Sequence, residues 1–377
     1  MERDREMRKY IMAGRITGST PKKDGYHMPG EFEKQKCIWM IWPERPDNWR
    51  SNAGPARKAF SEVAKAISQF EPVIMLSSKA QFADCRKQLP EEIQVLEMES
   101  NDAWARDIGP SFLINNEEKL RACDWTFNAW GGDVDGLYKP WDKDDRIASQ
   151  ICEKAGVDFY RTEGFVLEGG AFHVDGEGTI LTVEMCLLSK GRNPSLSKEQ
   201  IEQKLCDYLG GEKVIWLKDG IDPLETNGHI DDVACFVSPK EVACIFTEDK
   251  DHPFYQASQD AYRILREATD AKGRQLKVHK ICCTKKNIYI EKEFVIEKNN
   301  SSIKRMTGDL CIASYLNFLI VNGGVIVPQY GDENDALALA QIQEIFPDRK
   351  AIGVYTREIV YGGGNIHCIT QQQPAGK

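Results

Sequence analysis

Apolar residues recur at helical spacing in five separate stretches of the chain, and each stretch is followed by a short β-prone run. The first predicted helix covers about 55–70, with Ala56, Ala59, Phe60, Val63, Ile67 and Phe70 on one face and Pro55 suited to its opening turn. The second covers about 142–155, turning Ile147, Ile151 and Ala155 inward and carrying acidic residues where the helix dipole favours them. The third opens with Ser197 and Gln200 as a capping box, carries Ile201, Leu205 and Leu209, and stops at Gly210. The fourth and fifth cover about 255–268 and 334–346, the last ending before Pro347. The runs at 73–76, 157–160, 214–217, 276–279 and 352–355 follow them as strands, and further strands such as 38–43 and 325–328 precede several of the helices.

This order predicts an α/β fold in which strands, a helix and a further strand repeat five times. Unit lengths vary too widely for a stacked solenoid. An open parallel sheet fits the local pattern, but a closed ring is preferred, because closure removes long sheet edges and gathers the unit ends around one axis. Residues 25–377 are expected to form this one domain, with residues 1–24 a charged, flexible leader.

Polar motifs follow four of the five predicted post-helix strands. They are Asn101 to Pro110, Glu168 to Gly176, Glu225 to Asp232, and the stretch Gly362-Gly363-Gly364-Asn365-Ile366-His367-Cys368-Ile369-Thr370. After the fourth unit only Lys285, Lys286 and alternating apolar residues stand out. Around a common axis, the four motifs would meet in one pocket. The triple glycine follows a strand-like run, Glu358-Ile359-Val360-Tyr361, and permits close approach of backbone to a ligand just before Cys368.

Composition narrows the chemistry. Over 377 residues, 41% hydrophobic and 28% charged positions describe an ordinary globular chain, and the net charge of −9 argues against a nucleic-acid partner. No apolar run is long enough to span a membrane. The twelve cysteines are scattered without C-x-x-C spacing, a pattern of reduced thiols in a cytoplasm.

Asp107, Glu168 and Asp231 are each ordinary turn residues taken singly, since acidic side chains are mostly exposed. Converging beside one thiol and one imidazole, they would repel one another unless the site bound a cation. Metal is the weaker choice: no calcium-loop pattern occurs, and zinc held by His229, Asp231 and Cys368 would spend the thiolate as a ligand. A guanidinium matches paired carboxylates through its planar fork of donors and presents a carbon for the thiol to attack. His229 suits proton transfer, and the spacing to Asp231 would put both side chains on one side of an extended segment. His173 and His367 are given supporting roles at most. Trp104 is placed to pack on an alkyl chain or planar cation, Trp39, Trp42 and Trp49 to pack the first unit, and 125–132 to form a structured loop beside the pocket. Arg106, the one basic residue in the four motifs apart from histidines, is expected in structural ion pairs.

The motifs Met40 to Arg50, Trp104 to Pro110, Glu168-Gly169-Gly170, Glu225 to His229 and Gly362 to Gln372 together resemble those of the agmatine deiminases, over about 25–374. The resemblance implies the pentein fold, five pseudo-symmetric ββαβ units around a central site. It implies Cys368 as nucleophile, His229 as general acid and base, Asp107 and Asp231 as guanidinium ligands, and Glu168 beside the reacting centre. Trp104 and Glu225 would meet the distal end of the substrate, with Gly363 and Gly364 lining its path. The implied reaction hydrolyses agmatine, on the route from arginine to putrescine, to N-carbamoylputrescine and ammonia through a covalent amidino-thioether, with no metal or cofactor, in a cytoplasmic homo-oligomer. The alternatives are a related hydrolase acting on arginine or peptidyl arginine, and a polyamine-binding protein without turnover.

Overall fold

The computed structural model describes residues 13–291, 296, 302 and 305–376. All five predicted helices form, at Gly54–Ser68, Ile147–Ala155, Lys198–Leu209, Tyr255–Glu267 and Asp335–Ile345. The capping box is present: the Ser197 side chain accepts from the Gln200 N–H, and Gly210 closes the helix in the left-handed region. On the first helix Phe60, Val63 and Ile67 are fully buried, each such side chain stabilising the fold by about 1.5–3 kcal/mol.

The strands form five sheets, each built on the same plan. In the third unit Thr179–Val183 lies between Phe172–Val174, antiparallel, and Lys213–Leu217, parallel, with the helix Lys198–Leu209 in the crossover. The second, fourth and fifth units repeat this around Leu120–Thr126, Glu241–Phe246 and Gly324–Gln329. The first unit is completed from the far end of the chain. Thr370–Pro374 pairs antiparallel with Gln35–Ile41, which pairs parallel with Val73–Ser77. The last strand thereby returns to the first unit, the closure expected from the sequence, and leaves the residues before it, Gly362 to Ile369, at the junction of the fifth and first units.

Three local expectations are corrected. Residues 13–24, assigned to a flexible leader, dock on the domain: Arg15–Ile16 pairs parallel with Phe159–Tyr160, and the Lys22 N–H donates to the Asp207 carbonyl. The remaining leader residues lie outside the described ones. The strand-like run before the triple glycine is instead a short helix, Arg357–Val360. Ile359 and Val360 are both buried, and the helix packs against Gly54–Ser68. Finally, Ile230–Asp232 is a 3₁₀ turn rather than an extended segment, with His229 at its start.

Candidate active site

Each of the five unit junctions delivers a polar side chain to one buried centre. Asp107 comes from the first junction, Glu168 from the second, His229 and Asp231 from the third, Asn317 from the fourth and Cys368 from the fifth. The Cys368 segment is fixed along its backbone: the Arg106 N–H donates to the Cys368 carbonyl at 3.1 Å, and the Thr370 hydroxyl donates to the Ile366 carbonyl at 2.7 Å. The Asn317 amide grips Cys368 twice, Nδ2 at 3.2 Å from its Sγ and Oδ1 accepting from its N–H at 3.3 Å. The thiol lies 3.6 Å from Asp231 Oδ2. Burial, then Asp231, Asp232 and Asp107, push this thiol well above its ordinary value, so it is protonated in the free protein.

His229 sits between two carboxylates, with Nδ1 3.8 Å from Asp107 Oδ2 and Nε2 3.7 Å from Glu168 Oε2. Burial disfavours its charge, but Asp107, Cys186 and Glu168 reverse that and hold its pKa well above the ordinary histidine value. The free protein therefore holds this imidazole protonated, alongside the protonated thiol. Glu168 faces Arg192 Nε at 2.7 Å, without hydrogen-bond alignment, and both side chains are fully buried. Burial would raise Glu168; Arg192 and His229 lower it below the ordinary range instead.

Asp107 and Asp231 complete the ring. Asp107 Oδ2 accepts from Trp130 Nε1 at 2.8 Å and Oδ1 from the Gly170 N–H at 2.9 Å. Asp231 Oδ2 meets His367 Nδ1 at 2.8 Å, while Oδ1 is buried with no hydrogen-bond partner among the described residues. An orphaned, buried oxygen on a carboxylate that touches a thiol calls for a cationic donor. Gly170 brings these elements together: a Cβ there would lie 2.5 Å from His229 Nδ1, 2.9 Å from Asp107 Oδ1 and 3.1 Å from Asp231 Oδ2.

A cleft enclosing about 480 Å³, including its open mouth, leads to Cys368 and is lined by Trp104, Asp107, Trp130, Glu225, Arg305 and Gly363 among others. Trp104 is buried against Trp49, their rings 5.2 Å apart, and its Nε1 donates to Asp102 Oδ2 at 3.2 Å. Glu225, expected to be available for the distal end of a substrate, receives Arg305 Nε at 2.9 Å and Nη2 at 2.6 Å. Gly363 has φ 107° and closely approaches both of those side chains, so a side chain there is excluded by strain and by space. Gly364 abuts Trp104 and Cys368 Cβ, which makes it a spacer rather than a surface of the cleft.

Two buried triads among the described residues, the second sharing Glu168 and His229 with this ring, hold the donor types that bind metals: Glu31, His173 and His367, and Glu168, Cys186 and His229. Each already contains a cation, Arg106 at 3.0 Å from Glu31 and Arg192 at 2.7 Å from Glu168, which matches neither cluster to a resident metal ion. Arg106 thereby takes the structural ion pair expected of it.

The sequence reading missed Glu31, Cys186, Arg192, Arg305 and Asn317. Asn317 belongs to the fourth junction, where only lysines and apolar residues stand out; Ser314-Tyr315-Leu316-Asn317 carries no flanking glycine to mark it. Arg192 donates to the Thr226 carbonyl at 2.9 Å and to Asn227 Oδ1 at 2.8 Å, linking the second and third junctions.

The family model of the Porphyromonas-type peptidyl-arginine deiminases matches residues 27–374. The chain belongs to that family. Within it, an agmatine deiminase of Ectopseudomonas mendocina is 49% identical over 95% of this chain and 98% of its own. The solved agmatine deiminase of Enterococcus faecalis, described as catalysing its reaction, is 67% identical and superposes with a TM-score of 0.95, covering 96% of this chain and 99% of its own. A cysteine-to-serine variant of the C. jejuni agmatine deiminase with substrate bound is 27% identical, with a TM-score of 0.80 over 93% of this chain and 97% of its own. The five-unit architecture of this deiminase family is therefore the architecture of the present chain.

Proposed function

We propose that the protein hydrolyses agmatine to N-carbamoylputrescine and ammonia, with Cys368 as nucleophile and His229 as proton carrier. The observation that carries this reading is the Asp231 carboxylate, whose Oδ2 lies 3.6 Å from the Cys368 thiol and whose buried Oδ1 has no partner among the described residues, in a ring that also contains Asp107, Glu168 and His229. A guanidinium seated there gives Asp231 and Asp107 their donor fork and turns its carbon towards sulfur. Its positive charge also offsets the carboxylates that keep the thiol protonated, so the thiol gives its proton to solvent and thiolate forms when substrate arrives. Attack forms the C–S bond; the imidazolium of His229 gives its proton to the departing nitrogen, and ammonia leaves. The imidazole, now neutral, takes a proton from water as that water adds to the amidino-thioether. The C–S bond then breaks, releasing N-carbamoylputrescine and the thiol.

The distal end of the cleft favours an amine over a free carboxylate. Its two arginines are both engaged, Arg305 on Glu225 at 2.9 Å and Arg45 on Asp47 at 2.7 Å, so a substrate carboxylate would have to displace an existing pair. Agmatine, arginine and a peptidyl arginine assayed side by side for released ammonia test this: agmatine should be preferred by about 100-fold or more in kcat/KM, on the scale of an unpaired buried charge. Comparable rates with arginine would refute the choice of substrate. We read residues 25–377 as one catalytic domain, to whose second sheet Arg15–Ile16 adds an edge strand. The twelve unpaired cysteines support a reducing, cytoplasmic setting, and the homo-oligomer implied by the family resemblance belongs to the same proposal. Among the described residues no helix is long and apolar enough to cross a membrane.

A further inference from the structure

Behind Asp231 lies a buried row of charged groups that the proposed chemistry does not use. His367 Nδ1 lies 2.8 Å from Asp231 Oδ2, and His367 Nε2 lies 3.0 Å from both oxygens of Glu31. Glu31 Oε1 is in turn 3.0 Å from Arg106 Nη1, and Arg106 Nε donates to the His367 carbonyl at 3.3 Å. Arg106, Glu31, Asp231 and His367 are all at most 5% exposed. A neutral imidazole carries one N–H and one lone pair, so whichever tautomer formed would point a lone pair at a carboxylate. Only the doubly protonated ring satisfies both neighbours.

We infer that His367 is a permanent buried imidazolium that acts as a positioning residue, keeping Asp231 ionised and turned so that its unpartnered oxygen meets the guanidinium. The inference rests on the functional reading above for what Asp231 binds, but the charge of His367 stands on its own contacts. The arithmetic of charge supports it. Glu31 and Asp231 are two buried anions close together; Arg106 balances one of them and His173 Nε2 lies 3.6 Å from Glu31 Oε2, but of these three groups His367 is the one that touches both anions. Asp231 also faces Cys368, His229, Asp107 and Asp232, of which only His229 is cationic, and that charge is shared with Asp107 and Glu168. His367 faces Arg106, which disfavours its protonation, and stacks on His173, whose ring centroid is 6.1 Å away; Glu31 and Asp231 outweigh both burial and Arg106 and raise its pKa. Asp231 responds in the opposite sense: burial would raise it, and the hydrogen bond from His367 brings it below the ordinary aspartate value. His367 and the Cys368 thiol both meet Oδ2, so Oδ1 is the oxygen left for an incoming donor. His367 is also the residue next to Cys368, so the clamp and the nucleophile share one backbone anchor.

The test combines a direct reading of charge with kinetics. Nitrogen-15 NMR of the full-length enzyme labelled at its six histidines, with His367 assigned by the signal lost in His367→Gln, should show both ring nitrogens protonated at pH 8. A neutral ring at pH 7 would overturn the inference, whatever the enzyme's substrate proves to be. In His367→Gln, kcat/KM for agmatine should fall about 100-fold, and its acid limb should move to higher pH by about one unit as Asp231 loses its compensating charge. Glu31→Gln, which leaves the ring in place but removes its second anion, should shift the limb in the same direction by less and serves should His367→Gln not fold. A folded His367→Gln enzyme whose acid limb coincides with that of the wild type would reduce His367 to packing. Failure of the wild type to hydrolyse agmatine would defeat the functional reading alone, since the NMR arm requires no turnover.

Discussion

Asp107 and Asp231 look onto the same buried centre from two different junctions, yet their surroundings drive them apart. Asp107 accepts hydrogen bonds from neutral donors, the Trp130 indole and the Gly170 amide, and although His229 lowers it, burial together with Asp231 and Glu168 wins: its pKa is raised. Asp231 is equally buried, but the His367 side chain tips it the other way. Burial alone therefore does not determine whether a carboxylate in this cleft is ready for a cation; the balance of all the charges packed against it does. The contrast also divides the work. Asp231 is the pre-formed anion beside the sulfur, whereas Asp107 shares the neighbourhood of His229 and gains most from a guanidinium that arrives to neutralise it.

Substitutions can break this contrast in order of severity. Asp231→Asn removes the ionised partner nearest the thiol and should lower kcat/KM about a thousandfold with the fold retained; near-normal turnover would remove Asp231 from the site. Asp107→Asn should cost less, about 100-fold, because the lost carboxylate is the more easily protonated of the two. Equal losses would mean that the two walls are equivalent. Trp130→Phe deletes one donor from Asp107 Oδ2 and leaves Asp231 untouched. The Asp107 pKa should rise further, moving the acid limb of kcat/KM upward with a loss of about tenfold at neutral pH; an unmoved limb would show that the indole does not govern Asp107.

Stability gives the gentlest test of the Asp231 wall. Burial opposes the charge of Glu31, but Arg106, His367 and His173 together hold its pKa well below the ordinary 4.5. A carboxylate depressed in the folded state contributes stability above its unfolded pKa and loses that contribution as pH falls through the folded value. Glu31→Gln should thus lower the melting temperature at pH 7, and the gap from wild type should close towards pH 3. A gap that stays constant with pH would mean that Glu31 contributes only shape.

Local periodicity makes the scaffold legible in the sequence. Five helices and the strands after them follow from apolar spacing, caps and prolines, because each is decided within a dozen neighbouring residues. Cys368, His229, Asp107, Glu168 and Asp231 stand out because glycine flanks them at the points where backbones crowd the cleft. Glu31 and Asn317 have no such marker. Glu31 reaches His367 across 336 residues of chain and Asn317 reaches Cys368 across 51, contacts that only ring closure creates. The same limit explains why the run preceding the triple glycine misleads: Ile359 and Val360 look β-prone in sequence, but both are buried on a short helix against the first unit. Arg305, which covers Glu225, carries no signal in its own neighbourhood.

The most direct test of the covalent mechanism is intact-protein and peptide mass spectrometry of enzyme quenched with acid during agmatine turnover. The peptide bearing Cys368 should gain the mass of agmatine less ammonia, transiently, and Cys368→Ser should neither gain it nor release ammonia. Steady hydrolysis with Cys368 unmodified at every time point, or with the adduct on another of the twelve cysteines, would contradict the account.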